Sequence, residues 1–225
     1  MLFDLDGTLL DTVDAITAGL NEALAERRLA SLPATEVREM IGRGGPILIE
    51  RALARLGVSI DDAGQAALLQ RYFVHYERIE ASDERGAGAY PGAARALSDL
   101  HRLGLRLAVV TNKQQRFAAG LLRRLGWSEW IAVVIGGDTC ERRKPDPQPL
   151  RLACNAMQVE ATQALMVGDS LNDVLAARAA GLPIVCVPYG YNEGADPRQL
   201  PCDAFVETLA ELPALLAGAG ARPPF

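Results

Sequence analysis

The sequence predicts an α/β protein in which a parallel β-sheet forms the core and a block of helices is inserted after the first strand. Two features lead to this prediction. From Leu105 onward, apolar stretches alternate with stretches of helical periodicity, which is typical of a parallel sheet covered on both faces. Before that region lies a long segment with helical periodicity alone. We therefore expect an α/β core domain of residues 1–13 and 86–225, and a helical cap domain of residues 14–85.

The first strand is predicted at Met1–Leu5, where the chain is mostly apolar. The segment after it repeats apolar side chains at helical spacing, as at Ile16 and Leu20, and glycine or proline residues interrupt the pattern. These interruptions predict four helices and no strand in this segment. The glycine-rich stretch at residues 82–92 is predicted to be the joint between the two domains.

The remaining elements follow from the alternation of apolar and helical patterns. Strands are predicted at Leu105–Val110, Ile131–Ile135, Ala164–Val167 and Pro183–Val187, and helices at Gln115–Leu125, Pro149–Met157 and Leu171–Ala180. The stretch Ala217–Phe225 is rich in alanine, glycine and proline and is expected to fray.

Composition and charge exclude several classes of function. Of the 225 residues, 49% are apolar and 23% are charged, and the formal net charge is −5. An acidic chain without a basic block does not fit a nucleic-acid partner, because such partners are held by phosphate neutralisation. No apolar run approaches the roughly 20 residues that span a bilayer, and no secretory signal pattern is present. The four cysteines lack metal-binding or redox spacing, so we expect free thiols and a cytoplasmic protein without a membrane partner.

Four polar motifs lie where ligands bind to parallel sheets, beyond the carboxyl ends of the strands. They are DLDGT, TNK, KPD and GDSLND. Alone, each also fits a structural role: Thr111 could end a strand, Lys144 could be a surface lysine, and Asp169 could cap a helix. Asp4 and Asp6 are harder to explain structurally, because strand alternation places both carboxylates on one face, where they repel each other. Four such motifs at one sheet edge indicate an active site.

The charges of Asp4, Asp6 and Asp169 predict a cation at this site. Two like charges about 4 Å apart repel by roughly 4 kcal/mol at an effective dielectric constant near 20. Three carboxylates and a phosphate therefore need a counter-charge. Mg²⁺ suits the role, because it prefers one or two carboxylates, a substrate oxygen and several waters. Lys144 supplies the remaining positive charge.

The stretches FDLDGTLLDT, VVTNK, KPDP and VGDSLND together resemble the four motifs of the haloacid dehalogenase (HAD) superfamily of phosphatases, in the same order. The resemblance covers the whole sheet domain. It implies the HAD fold, a Rossmann-like parallel sheet, and the helical insertion is similar to the cap of the family's small-cap subgroup.

The resemblance also implies a role for each motif residue. Asp4 is expected to attack phosphorus and become an aspartyl-phosphate, and Asp6 to act as general acid and then as general base. The expected magnesium ligands are Asp4, the backbone carbonyl of Asp6, and Asp169, while Asp173 orients the metal site directly or through water. Phosphate oxygens are expected to contact the residues of the second and third motifs, namely Thr111, Asn112 and Lys144.

The implied activity is hydrolysis of a small phosphomonoester. The stretches MIGRGGPILIERAL, VVIGGD and PYGYN are similar to members that act on 2-phosphoglycolate, which is the expected substrate. A sugar phosphate or pyrophosphate, a phosphomutase reaction and a non-catalytic phosphate-binding role remain open. Arg43 is predicted either to bind the substrate's carboxylate or to belong to an ordinary glycine-rich turn. The expected partner is a small phosphorylated metabolite, and the expected assembly is a monomer or a homodimer.

Overall fold

The structure is a computed structural model that describes residues 1–82 and 88–218. The strands in these ranges are β1 (Leu2–Phe3), β2 (Leu10–Asp11), β3 (Gly88–Ala89), β4 (Leu107–Val110), β5 (Ile131–Ile135), β6 (Met166–Gly168), β7 (Ile184–Cys186) and β8 (Ala204–Phe205). The helices are α1 (Val13–Glu26), α2 (Ala34–Met40), α3 (Gly45–Leu56), α4 (Asp62–Ser82), α5 (Ala93–Arg102), α6 (Gln115–Arg124), α7 (Gln148–Met157), α8 (Leu171–Ala180) and α9 (Leu212–Gly218). Within the described ranges, no helix is both long and apolar enough to cross a membrane.

The main sheet is parallel and places β1 at its centre. In the described part of the chain its strand order is β5-β4-β1-β6-β7-β8. Leu2 of β1 pairs with Ala108 of β4 on one side and with Met166 of β6 on the other. The chain thus winds outward from β1 in both directions, and the carboxyl ends of β1, β4 and β6 lie side by side. This reversal point is where open α/β sheets bind their ligands.

Both faces of the sheet are covered by helices, as the apolar strands predict. Leu2 contributes to the apolar cluster that includes residues of α7 and α8. Phe3, the next residue, contributes to the opposite cluster, which includes residues of α5 and α6. Successive side chains of a strand point to opposite faces, so even this short strand joins the two layers. The α/β fold class is confirmed.

Helices α1 to α4 form a block with an apolar cluster of its own. Leu20 and Leu24 of α1 lie there beside Leu68 and Tyr76 of α4. The two helices approach closely at Gly19, where an added Cβ would lie 3.2 Å from the backbone of Tyr76. The antiparallel pair β2–β3 lies at the base of this block, since β2 directly precedes α1 and β3 follows α4 in the described chain.

The sequence predicts most elements within a few residues of their observed bounds. It misses the helices α5 and α9 and three short strands, β2, β3 and β8. Of the glycine-rich joint, residues 83–87 lie outside the described residues, as do residues 219–225 of the stretch expected to fray. The division into domains at residues 13/14 and 85/86 stays a prediction.

Candidate active site

The three central strands deliver the polar motifs to one place. Asp4 follows β1, Thr111 follows β4 and Asp169 follows β6, each directly after the last residue of its strand. The backbone of Asp4 is still tied to the sheet, since its N–H donates to the carbonyl of Val167 at 2.9 Å. Because these strands are parallel neighbours, the side chains after them converge at one edge.

Asp4, Asp169 and Asp173 form a cluster of buried carboxylates. Each offers an oxygen that lies within 4.8 Å of an oxygen of the other two. Lys144 lies among them, with its Nζ 2.8 Å from Asp4 Oδ1 and 2.7 Å from Asp173 Oδ1. It also donates to the carbonyl of Val110 at 2.7 Å. One ammonium group cannot balance three carboxylates, so the donor set fits a hard cation bound by oxygen ligands.

Burial explains the protonation behaviour of this cluster. It raises the pKa of Asp4 to about 7, although the charge of Lys144 acts in the opposite direction. Burial also raises the pKa of Asp169 well above its usual range, and the negative charges of Asp173 and Asp4 add to that effect. For Lys144, burial lowers the pKa, but the attraction of Asp173 and Asp4 outweighs it, so the net shift is upward. Without a bound cation, Asp4 and Asp169 therefore keep their protons to a higher pH than ordinary aspartates do.

Asp169 is held by groups from two loops. Thr8 Oγ1 and the backbone N–H of Tyr191 donate to its two oxygens, each at 2.6 Å. The loop after β1 passes so close that a Cβ added at Gly7 would lie 2.3 Å from Asp169 Oδ2. Gly7 also has a φ of +91°, which L side chains rarely adopt. Glycine is therefore required here for two independent reasons.

Asp173 lies in the first turn of α8 and links the helix to the cluster. Its Oδ2 accepts hydrogen bonds from Ser170 Oγ at 2.8 Å, from Ser170 N at 3.1 Å and from Asp169 N at 3.2 Å. Its Oδ1 accepts from Lys144. Ser170 and Asp173 form a capping box at the start of α8. The same carboxylate thus caps the helix and orients Lys144.

Asp6 lies apart from this cluster in a different environment. Lys113 Nζ donates to its two oxygens at 2.9 and 3.0 Å, and Thr12 Oγ1 donates to Oδ1 at 2.8 Å. Among the described residues, the carboxylate of Asp6 does not belong to the group that could hold a metal. Its backbone carbonyl stays the predicted ligand. The two aspartates of the first motif therefore occupy separate positions.

Thr111 and Asn112 lie between the sheet and the helical block. Thr111 is buried, and its Oγ1 accepts from the backbone N–H of Lys113 at 3.2 Å. Asn112 Nδ2 donates to the carbonyl of Gly42 at 2.8 Å and to that of Lys144 at 2.9 Å. The amide therefore joins the loop before α3 to the loop that carries Lys144. Oδ1 of Asn112 is buried without a hydrogen-bond partner in the described structure.

A cavity of about 50 Å³ lies between the carboxylates and the helical block. Its polar lining includes Asp4, Asp6, Thr111, Asn112 and Lys113. Its apolar lining includes residues of α1, α3, α4 and α6: Ile16, Leu48, Tyr72, Phe73, Tyr76 and Phe117. A small polar ligand would thus be enclosed between polar and charged side chains on one side and apolar side chains on the other.

Arg43 lies outside this lining. Its Nε is 2.9 Å from Glu193 Oε1, and its side chain is 49% exposed. Arg51 of α3 binds the other oxygen of Glu193 at 2.8 Å. The structure thus brings Asp4, Lys144, Asp169 and Asp173 together, with Asp6, Thr111 and Asn112 on the adjoining cavity wall, and leaves Arg43 at the rim.

Three residues at the site have no role in the sequence-based prediction. Thr8 and Tyr191 hold Asp169, and Lys113 binds Asp6. Thr8 and Lys113 belong to the quoted motifs DLDGT and TNK, so their position next to predicted site residues was an available signal. The part played by Tyr191 was not predictable in this way, because it is a contact between residues far apart in the chain.

The strand order and the carboxylate site together define a parallel α/β protein with a candidate cation site at the centre of its sheet. A family model described as haloacid dehalogenase-like hydrolase matches residues 1–187, and the chain belongs to this family. It is 41% identical to a plasmid-encoded phosphoglycolate phosphatase of Cupriavidus necator over 225 residues, which cover 99% of this chain and 95% of the relative. It is 46% identical to the phosphoglycolate phosphatase of Rhodospirillum rubrum over 196 residues, covering 85% of this chain and 80% of the relative.

Solved structures agree with this assignment. A crystal structure of a predicted phosphoglycolate phosphatase from Haemophilus somnus superposes with a TM-score of 0.88 at 27% identity, and the match covers 96% of each chain. The similarity therefore extends over the helical block as well as the sheet.

Proposed function

We propose that this protein is a Mg²⁺-dependent phosphatase that hydrolyses 2-phosphoglycolate to glycolate and phosphate. The observation that carries the proposal is the separation of the two aspartates of the first motif. Asp4 lies in the carboxylate cluster with Lys144, whereas Asp6 binds Lys113, and both line the same cavity. Two carboxylates with different neighbours are suited to two different tasks, nucleophilic attack and proton transfer.

In the proposed reaction, a carboxylate oxygen of Asp4 attacks phosphorus and the bond from phosphorus to the leaving oxygen breaks. Asp6 gives its proton to that oxygen, so the product leaves as an alcohol. In the second half, Asp6 accepts a proton from a water molecule that attacks the aspartyl-phosphate, which releases phosphate and restores Asp4. A covalent intermediate divides one very slow reaction into two easier steps.

The remaining motif residues have supporting roles in this proposal. Asp4, Asp169 and the backbone carbonyl of Asp6 would hold Mg²⁺, with Asp173 orienting the site. When bound, the ion neutralises charge on the phosphate oxygens. Lys144 offsets the charge of Asp4 and the phosphoryl group, and Thr111 and Asn112 bind phosphate oxygens. The amide of Asn112 would have to exchange one of its two backbone contacts for this role.

Arg43 is proposed to close over the site and to bind a substrate anion, which requires it to leave Glu193. We expect Arg43→Ala to raise KM for 2-phosphoglycolate, with a smaller effect on kcat, because a guanidinium group binds carboxylates well. Steady-state kinetics would check this. An unchanged KM in an active variant would show that Arg43 only holds the loop against Glu193.

The helical block of residues 14–85 is proposed to act as a cap that opens and closes over the cavity. Such a motion must break at least two hydrogen bonds. Asn112 Nδ2 donates to the carbonyl of Gly42 at 2.8 Å, and the guanidinium of Arg38 in α2 donates to the carbonyl of Tyr189 at 2.7 Å. We propose a cytoplasmic monomer or homodimer whose partner is a small phosphorylated metabolite.

Phosphate release measured across a panel of phosphorylated metabolites, with and without Mg²⁺, tests the proposed function. We expect release to require Mg²⁺ and to be fastest with 2-phosphoglycolate. Preference for a sugar phosphate or pyrophosphate would change the substrate assignment. Interconversion of glucose phosphates without phosphate release would indicate a phosphomutase, and binding without turnover would indicate a non-catalytic protein.

A further inference from the structure

The cavity has an uneven charge distribution. Among the described residues that line it, Lys113 is the one lysine or arginine, while Asp4 and Asp6 are both acidic. The rest of the lining is apolar or neutral. A substrate with a second negative group besides its phosphate therefore meets one cationic side chain inside the cavity, and burying a charge without a partner is costly.

Lys113 is held firmly in this position. Its side chain is 6% exposed, and its Nζ lies 4.6 Å from the centre of the Tyr76 ring. The backbone on either side is fixed, because Gly137 N donates to the Lys113 carbonyl at 2.7 Å and Lys113 N donates to Thr111 Oγ1 at 3.2 Å. The ammonium group is thus aimed from the end of β4 toward the cap side of the cavity.

The position of Lys113 relative to Asp6 indicates which part of a substrate it meets. Under the proposed function, Asp6 contacts the leaving oxygen, and Lys113 Nζ lies about 3 Å from both oxygens of Asp6, at 2.9 and 3.0 Å. In 2-phosphoglycolate, a single CH₂ group separates the leaving oxygen from the carboxylate. A carboxylate so close to the leaving oxygen falls within reach of Lys113.

Arg43 provides a useful contrast. It is half-exposed, lies outside the cavity lining and is paired with Glu193. Lys113 needs no rearrangement of the cap to reach the substrate, whereas Arg43 must first exchange Glu193 for it.

We propose that Lys113 selects for substrates that carry an anionic group next to the leaving oxygen, by binding that group directly. This proposal rests on the proposed function. Lys113 would bridge the substrate carboxylate and Asp6, so that one ammonium group both recognises the substrate and positions the residue that protonates its leaving oxygen. A hydrogen bond to a charged group of this kind is strong and specific.

The test compares two substrates of nearly equal size, 2-phosphoglycolate and 2-hydroxyethyl phosphate, which carries a hydroxymethyl group in place of the carboxylate. Lys113→Met removes the charge and keeps most of the side-chain volume. We expect kcat/KM to fall with both substrates, because Asp6 loses a partner, but to fall about 10- to 100-fold more with 2-phosphoglycolate. Lys113→Arg should restore part of the preference.

Other outcomes have definite meanings. An equal loss with both substrates would show that Lys113 acts only on Asp6 and would overturn the proposal, as would a variant as active as the wild type. A wild-type enzyme that does not hydrolyse 2-phosphoglycolate would refute the proposed function itself. That failure is seen in the wild type alone, so it is distinct from a failure of the Lys113 proposal, which is seen in the variants. Lys113→Gln, checked for folding by circular dichroism, serves as a second neutral variant.

Discussion

Gly7 shows how much of this site depends on a residue without a side chain. It lies between Asp6 and Thr8, and a Cβ there would overlap Asp169 at 2.3 Å. The motif DLDGT therefore has aspartates at the positions predicted to act in the reaction, and a glycine at the position where the backbone passes close to Asp169. Sequence reasoning identifies the acidic residues from their charge, but the contact between Gly7 and Asp169 requires the sheet to be assembled.

The first prediction concerns Gly7→Ala. The substitution forces an L residue into a backbone conformation with φ of +91° and also displaces the Asp169 carboxylate. We expect kcat/KM to fall by about 100-fold, since misplacing a group at an active site by about 1 Å costs this much. Gly57→Ala is a matched control, because Gly57 has a φ of +67° but open space around it. Equal activity in the two variants would contradict this account of Gly7.

At the scale of secondary structure, the loop after β7 connects the active site to the helical block. Tyr191 N donates to Asp169, while the Tyr191 hydroxyl donates to Asp11 and accepts from Thr12 N at 2.8 Å and Val13 N at 3.2 Å. One residue therefore holds both a carboxylate of the cluster and the start of α1.

A second prediction follows for Tyr191→Phe. Loss of the hydroxyl leaves the backbone N–H of Thr12, a fully buried residue, without its acceptor, while Val13 N keeps a second acceptor in Asp11 Oδ1 at 3.3 Å. We expect the free energy of unfolding to fall by about 1–3 kcal/mol, as measured by urea denaturation. Tyr189→Phe removes a hydroxyl that donates to the carbonyl of Thr8, a single partner, and should cost less. A larger loss for Tyr189→Phe would refute this role of Tyr191.

The elements also show where sequence patterns succeed. Five of the six described strands of the main sheet, all except β8, are predicted from continuous apolar stretches, and the helices of the cap from spacing such as Ile16, Leu20 and Leu24. The strands β2 and β3 are two residues each, and the helical block lies between them in the sequence. Strands this short show no alternation of apolar and polar residues from which they could be predicted. Helix α5 does carry such a signal, since Ala93, Ala96, Leu97 and Leu100 are buried on one face, and could have been predicted.

For the whole molecule, the buried carboxylates link stability to pH and to bound cations. The pKa of Asp4 is about 7 in the folded, metal-free protein, against an ordinary value of 3.8. Between these pH values the folded state holds more protons than the unfolded state, so this group makes the protein less stable as pH rises through the window. A cation that replaces the protons removes the penalty.

A third prediction concerns Mg²⁺ and pH together. We expect Mg²⁺ to raise Tm more at pH 8 than at pH 6, because the ion competes with protons for the same carboxylates. Thermal denaturation with and without Mg²⁺ at both pH values checks this, with Asp169→Asn as the control that should lose most of the effect. An identical shift at the two pH values would argue that Mg²⁺ binds elsewhere.

How far the site could be predicted also depends on scale. The residues of the carboxylate cluster could be predicted, because each belongs to a short motif in which acidic side chains come at or soon after the end of an apolar strand. The pairing of Lys113 with Asp6 joins two motifs 107 residues apart, and the pairing of Arg43 with Glu193 joins positions 150 residues apart. The first contact depends on the assembly of the sheet and the second on how the helical block lies on it, and no local pattern encodes either.

The central claim is that Asp4 attacks phosphorus, and Asp4→Asn tests it most directly. Asparagine has almost the same shape as aspartate but cannot form the acyl-phosphate. The measurement is phosphate release from 2-phosphoglycolate in the presence of Mg²⁺, alongside urea denaturation to confirm that the variant is folded. The account predicts a loss of kcat of at least about 1,000-fold, whereas wild-type turnover in a folded Asp4→Asn protein would contradict it.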